Sequence, residues 1–253
     1  MKVPNIIFKK LSLEETIDNV IWTYFDSEFH EITINTFPEL GKIDTNLPKE
    51  KIEEEITRIF TSYYSYNSDA IDREIEKYNN LWKKYNDVYF EKLSEYLNIN
   101  WPTGISDIEA YVGLACVFPR FLDKNSFIIG SNLNDEKVLE ICAHETLHFL
   151  WFEKWKSLYK DYNVDEFESP HNIWRYSEMV VDPILNSKTI NDIFGFHFYA
   201  YNEFYDMYDK NKKVMDTLNE IFNREDSIEN KIKSGFEYIN EYLNKEHYEN
   251  SRI

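Results

Sequence analysis

The sequence predicts an α+β fold, mostly helical with a small mixed sheet, and three observations carry that reading. Apolar residues recur at helical spacing over most of the chain. A few short runs, rich in β-branched and aromatic residues and bounded by Pro, Gly or Asn, have the texture of strands. With 43% apolar and 17% aromatic residues over 253 positions, the chain can also bury a sizeable core, which a disordered chain cannot.

Val3 to Phe8 is an apolar run suited to a first strand. Ser12 with Glu15 makes a capping box, and Leu13, Ile17, Val20, Ile21 and Tyr24 then repeat at helical spacing, so a helix is expected from Leu13 to Phe25. The alternation in Glu31–Thr36 suggests a second strand. Pro38, Gly41 and Pro48 mark a connection. After it, Lys49 to Tyr64 and Asp69 to Leu97 read as two helices, the first with Ile52, Ile56, Ile59 and Phe60 on one side. The second carries a longer stripe that includes Ile71, Tyr78, Trp82, Tyr89 and Leu93. Such stripes are core. Asn98 to Gly104, containing Pro102, is the best internal boundary, giving a mainly helical lobe over 1–100 and a second region over 101–253.

Beyond that boundary the texture changes. Ala110–Phe118 and Ser126–Gly130 are strand-like runs parted by Pro119 and a turn around Asp123 to Asn125. Asn134 or Asp135 can cap a helix running to about Lys160, and its middle is apolar on nearly every face. His171 to Leu185 predicts a short helix, and Ile190 to Tyr208 is crowded with Phe and Tyr. Val214–Phe222 and Ile228–Tyr248 close the chain as amphipathic helices.

A formal charge of −18, from 28 basic against 46 acidic residues, argues against a nucleic acid or an anionic membrane surface as partner; a cationic or neutral substrate fits better. Cys116 and Cys142 are the only cysteines, so two reduced thiols are expected rather than a disulfide framework. The N-terminal residues hold no apolar run long enough for a signal peptide, and no window approaches the roughly 20 apolar residues of a membrane span, so a cytoplasmic protein is expected.

The long apolar helix contains His144, Glu145 and His148 as H-E-x-x-H. Residues four apart on a helix lie roughly 40° apart around the axis and about 6 Å along it, so both imidazoles can reach one cation. Glu145, offset by about 100°, stays clear of the His pair but within reach of a water beside that cation. Two imidazoles and a carboxylate inside a buried helix are costly unless something satisfies them, and a metal ion would. A catalytic zinc needs a third protein ligand from elsewhere. The strongest candidate is Glu178, because Glu178 and Asp182, four apart on a largely apolar helix, put two carboxylates on one buried face. Asp182 would then accept the outer N–H of His144 or His148 and fix its tautomer. Cys142 lies on the other side of the helix, and His30, His171, His197 and His247 read as surface or structural residues.

H-E-x-x-H on a buried helix, followed by a helix bearing E-x-x-x-D, resembles the gluzincin metallopeptidases, the thermolysin and zinc-aminopeptidase type. The resemblance covers Tyr111 to Leu185 and rests on His144, Glu145, His148, Glu178 and Asp182. It implies a zincin-like catalytic core, Zn2+ as cofactor, and a zinc-dependent endopeptidase or oligopeptidase acting on a peptide or protein. It further implies that Tyr111 to Phe118 is a sheet edge on which substrate lies extended, with Gly113, Leu114 and Ala115 binding its main chain. Glu145 would be the general base of a metal-assisted hydrolysis. In the family a downstream Tyr or His supports the oxyanion, and His197, Tyr199 and Tyr201 lie in that part of the chain. Two other readings stand beside this one: a non-catalytic zinc-fold scaffold or regulatory binding protein, and a structural site closed by a fourth protein ligand.

Overall fold

The computed structural model describes residues 2–250, and their side chains as far as residue 245. The side chain of His247 therefore lies outside the described residues. The chain divides into two compact units, Pro4–Asn86 with Ile105–Ile141 and Asp87–Gly104 with the residues from Cys142 onward. The expected division near residue 100 is not the one the fold makes. Its cause is a pairing with no local signal: the first strand joins a strand about a hundred residues later.

In the first unit, β1 (Asn5–Lys10), α1 (Leu13–Phe25), α2 (His30–Thr36) and α3 (Lys49–Trp82) come first. After α4 (Asn86–Leu97) follow β2 (Asp107–Gly113), β3 (Arg120–Phe121), β4 (Ser126–Gly130) and the first turns of α5 (Asp135–Leu158). The sheet is mixed and four-stranded in the order β1-β2-β4-β3. β2 lies parallel to β1 and β4, and β3 lies antiparallel to β4. Side chains alternate between faces, so Ile6, Phe8, Ile108, Ala110, Val112, Phe127 and Ile129 form one buried face. α3 packs against β1 and β2. Tyr78 from α3 reaches the far end of the sheet, where its hydroxyl donates to Gly130 O at 3.1 Å and accepts from Leu133 N at 2.9 Å.

The expected helix Leu13–Phe25 is present with its capping box. The expected strand Glu31–Thr36 is instead helix α2: Thr33 is buried and its hydroxyl donates back to Phe29 O at 2.8 Å, so packing overrides the β-branched alternation. The two helices expected over 49–97 are divided elsewhere. α3 runs unbroken through 65–68, with Asn67 donating to Tyr63 O at 2.8 Å within the helix. The break falls at 83–85, before Asn86. That buried side chain accepts from Ile6 N at 3.2 Å and Trp82 Nε1 at 2.9 Å and donates to Pro4 O at 3.0 Å, a set of partners that only the folded chain supplies.

The implied substrate edge is also corrected. β2 ends at Gly113, so Leu114 and Ala115 lie beyond the strand, and β2 is interior rather than an edge. Leu11 N donates to Val112 O at 2.9 Å and Ser131 N donates to Gly113 O at 2.8 Å, so neighbours already occupy both sides. β1 holds the place a peptide would need.

The second unit holds α4, α5 from Cys142, α6 (Asn172–Met179), α7 (Val181–Leu185) and α8 (Lys188–Phe194). A short hairpin, β5 (Tyr208–Asp209) with β6 (Lys212–Lys213), leads to α9 (Val214–Phe222) and α10 (Ile228–Asn250). The single helix expected over 171–185 is two: Pro183 has no N–H to offer Met179, and the helix breaks at Val180. Trp151 and Trp155 of α5 pack on Tyr176 of α6, and Trp155 also meets Phe236 of α10. Among the described residues, no helix is long and apolar enough to cross a membrane.

Candidate metal centre

The second unit carries the whole candidate site. Asn134 caps α5 by accepting from Lys137 N at 2.8 Å, and from Val138 onward the helix is buried on all sides except around His144 and a few polar positions. His144 and His148 fall on one face with ring centroids 4.9 Å apart. His148 is wholly buried and stacks on Phe152, which in turn stacks on Phe167 at 4.3 Å. Apolar packing thus fixes its ring plane. Tyr89 of α4 donates to Ala143 O at 2.6 Å and holds the same turn from the other side; burial pushes its phenol well above the usual range.

Glu178, on the last turn of α6, meets both imidazoles with one oxygen. Its Oε2 lies 3.1 Å from Nε2 of His144 and 3.4 Å from Nε2 of His148, and the residue is 1% exposed. Four tetrahedral donors at bonds of about 2.0–2.1 Å stand about 3.4 Å from one another, so these spacings suit a small divalent ion. His144, Glu145 and His148 also form a group whose donor atoms lie within 4.8 Å of one another. Two different carboxylates therefore compete for the third place. Glu178 is the better placed of the two, because its oxygen is near both imidazoles, whereas Glu145 Oε1 is 4.0 Å from Nε2 of His144. The His144 side chain is 17% exposed and that of Glu145 11%, so the site opens on that side and is sealed behind His148 and Glu178.

Asp182 does not take the expected role. It is buried, but its Oδ2 accepts from the Tyr205 hydroxyl at 2.7 Å and its Oδ1 from Asn186 Nδ2 at 2.9 Å, and neither oxygen bonds to His144 or His148. The break at Val180 removes the single helix on which the two carboxylates were expected to share a face. Burial first, and then the hydrogen bond to Asp182, push the Tyr205 phenol up, so it stays a donor. Asn186 also pairs with the main chain of Phe198, donating at 2.8 Å and accepting at 2.9 Å. Tyr205 and Asn186 were missed from sequence; only the i,i+4 spacing of Asp182 and Asn186 gave a hint.

Of the three expected oxyanion donors, His197 lies beside Asp182 with Tyr199 against it, whereas Tyr201 packs elsewhere. His197 Nε2 is 3.9 Å from Asp182 Oδ1, and the His197 and Tyr199 rings are 4.5 Å apart. Tyr199 is 60% exposed, and Tyr201 packs on Trp174 and Phe204. Cys142 is wholly buried, and burial with the nearby Glu145 pushes its thiol well up, which makes it an inert core group.

No protein-family model matches this sequence, and neither a curated protein nor a solved structure matches it. What can be said of its chemistry therefore comes from the side chains themselves.

Proposed function

We propose that the protein is a zinc-dependent peptide-bond hydrolase. The carrying observation is the single Glu178 oxygen within 3.4 Å of Nε2 of both His144 and His148, on a helix otherwise packed with apolar side chains. His144, His148 and Glu178 hold the ion. A zinc ion so held is a Lewis acid that polarises a carbonyl and lowers the pKa of water towards about 7. Glu145, beside the pair on the more open side, takes a proton from the attacking water and returns it to the leaving amine. His148, with no exposure, excludes solvent from behind. His197, Tyr199 and Tyr201 remain the proposed oxyanion donors.

A second reading has its own support. The strand that would have paired with a substrate is interior, which removes the main-chain recognition the peptidase reading invoked. A protein that holds zinc without turning over substrate accommodates that fact.

The two are separated by metal analysis on protein purified without added zinc, together with cleavage of a diverse peptide library. The hydrolase reading expects one zinc per chain, lost in His144→Ala and Glu178→Ala. It also expects cleavage that Glu145→Gln abolishes with metal retained. Zinc without any cleavage leaves the scaffold, and a folded protein with no metal affinity ends both.

A further inference from the structure

The first strand leaves a row of main-chain groups without partners. β1 lies at one side of the sheet, with β2 as its single neighbour there. Asn5 N donates to Ser106 O at 3.1 Å and Leu11 N donates to Val112 O at 2.9 Å, so the odd-numbered residues of β1 bond to β2 in this parallel pair. Ile6, Phe8 and Lys10 therefore turn their N–H and C=O groups outward. That row is capped at both ends. Asn86 accepts from Ile6 N at 3.2 Å and donates to Pro4 O at 3.0 Å, and Tyr64 donates to Leu11 O at 2.9 Å. Between the caps, the main chains of Phe8 and Lys10 have no hydrogen bond on that side among the described residues. Phe8 is 5% exposed, and main-chain groups so close to the interior are nearly always paired.

An extended segment is the shape that meets such a row, since it offers an N–H and a C=O along one edge at every second residue. A second copy of the chain does not fit. Helix α3 runs the length of β1, with Tyr64 at Leu11 and Tyr78 against Phe8, ring centroids 5.9 Å apart. Two paired β1 strands would stand about 4.8 Å apart, which brings their two α3 helices closer than the roughly 8–10 Å that helix axes need. The surroundings then select charge. Lys9 is bound to Glu109, and Lys10 to Asp72 at 2.9 Å. Lys83 and Lys84, exposed in the break just before Asn86, are in no ion pair among the described residues. In a chain of net charge −18, that end of the edge is locally basic. Ile7, 38% exposed on the face away from α3, adds an apolar neighbour.

We propose that the open edge of β1 is a docking site for an extended acidic segment of a partner protein, which pairs main chain to main chain with Phe8 and Lys10 and sets its carboxylates towards Lys83 and Lys84. β-Branched residues at alternate positions of that segment cover Ile7. At 0.15 M salt the screening length is about 8 Å, so the nearby lysines outweigh the distant carboxylates that make up the net charge. None of these residues belongs to the metal group, and the docking needs no metal.

The test is amide hydrogen exchange of the full, isotope-labelled chain by NMR, titrated with a short Val-Thr repeat peptide flanked by glutamates and blocked at both termini. Without peptide, the Phe8 and Lys10 amides should exchange fast; saturating peptide should slow both at least tenfold. N-methylation of one alternate set of peptide residues should abolish binding, and methylation of the other set should leave it, because one edge of a strand faces β1. Lysines in place of the flanking glutamates should weaken binding at least threefold. So should Lys83→Glu and Lys84→Glu made together, with the native spectrum kept because both side chains are exposed. Five results would each overturn the proposal: slow exchange in the free monomer, equal binding of the two N-methylated peptides, binding indifferent to charge in the peptide or in the double variant, no protection at about 10 mM peptide, beyond the weak end of useful affinity, or protection that grows with protein concentration as the chain dimerises.

Discussion

Asp182 carries a charge into the interior at 4% exposure, so its oxygens must be matched, and Tyr205 and Asn186 do the matching. Tyr205→Phe keeps the ring and deletes one donor to a buried carboxylate, a loss of roughly 1.5–3 kcal/mol. Urea denaturation should show that drop while zinc content stays the same, because Tyr205 bonds to Asp182 and not to the imidazoles. A loss of zinc in that variant would mean that Asp182 orients a ligand after all. The contrast with the histidines is instructive. His144 and His148 meet because of local helical geometry, which five letters of sequence encode. Glu178 Oε2 stands beside both imidazoles, although the single helix face on which it was paired with Asp182 does not form. The partner of Asp182 was not legible, since Tyr205 lies 23 residues away in a stretch with no period.

Helices α1 and α9 match their expected limits, and α10 begins at the expected Ile228, because strong apolar periodicity and caps are local signals. What periodicity does not report is what stands opposite a residue. Gly235 on α10 shows the difference: a Cβ there would run into the Tyr176 hydroxyl and come within 3.2 Å of Leu218 Cδ1. Tyr176 is fully buried and donates to Ile232 O at 2.9 Å, so it has nowhere to retreat. Helix propensity favours Ala over Gly by about 1 kcal/mol, but overpacking costs about 1–3 kcal/mol. Gly235→Ala should therefore lower the guanidinium midpoint, whereas propensity alone predicts a rise. The second element-scale contact is Lys154 of α5, which is 3% exposed and bonds to Glu229 of α10 and to Asn98 O at 3.2 Å. The Lys154 bond holds the Glu229 carboxyl down at about 2, below its ordinary value near 4.5. A depressed carboxylate contributes stability above its unfolded pKa and loses it as pH falls from about 4.5 towards about 2. Glu229→Gln should cost up to about 3 kcal/mol at neutral pH by stranding a buried ammonium. It should also flatten the acid limb of the stability curve, measured by denaturant titration at successive pH values.

Across the whole chain, 46 acidic residues against 28 basic ones leave a net charge of −18, and most ion pairs are exposed or local on one helix. Such pairs contribute about 0–1 kcal/mol each, so unpaired repulsion outweighs them. Sodium chloride shortens the screening length from about 30 Å at 0.01 M to about 8 Å at 0.15 M. The melting temperature at pH 7.5 should accordingly rise over that range by scanning calorimetry; a fall would mean that ion pairing dominates. Charge of this kind is a property of composition, and no fold is needed to read it.

The sequence by itself determined the helical character, the mixed composition of helix and short strands, the strong negative charge, and the pairing of His144 with His148, because each depends on composition or on neighbours within a few residues. Only the tertiary structure decided that β1 shields β2, that Asn86 rather than residues 65–68 ends the long helix, that Glu178 turns one oxygen to both imidazoles, and that Tyr205 claims Asp182. Those outcomes join residues far apart along the chain, and the contacts that reward such closures exist only once the fold has brought both partners together.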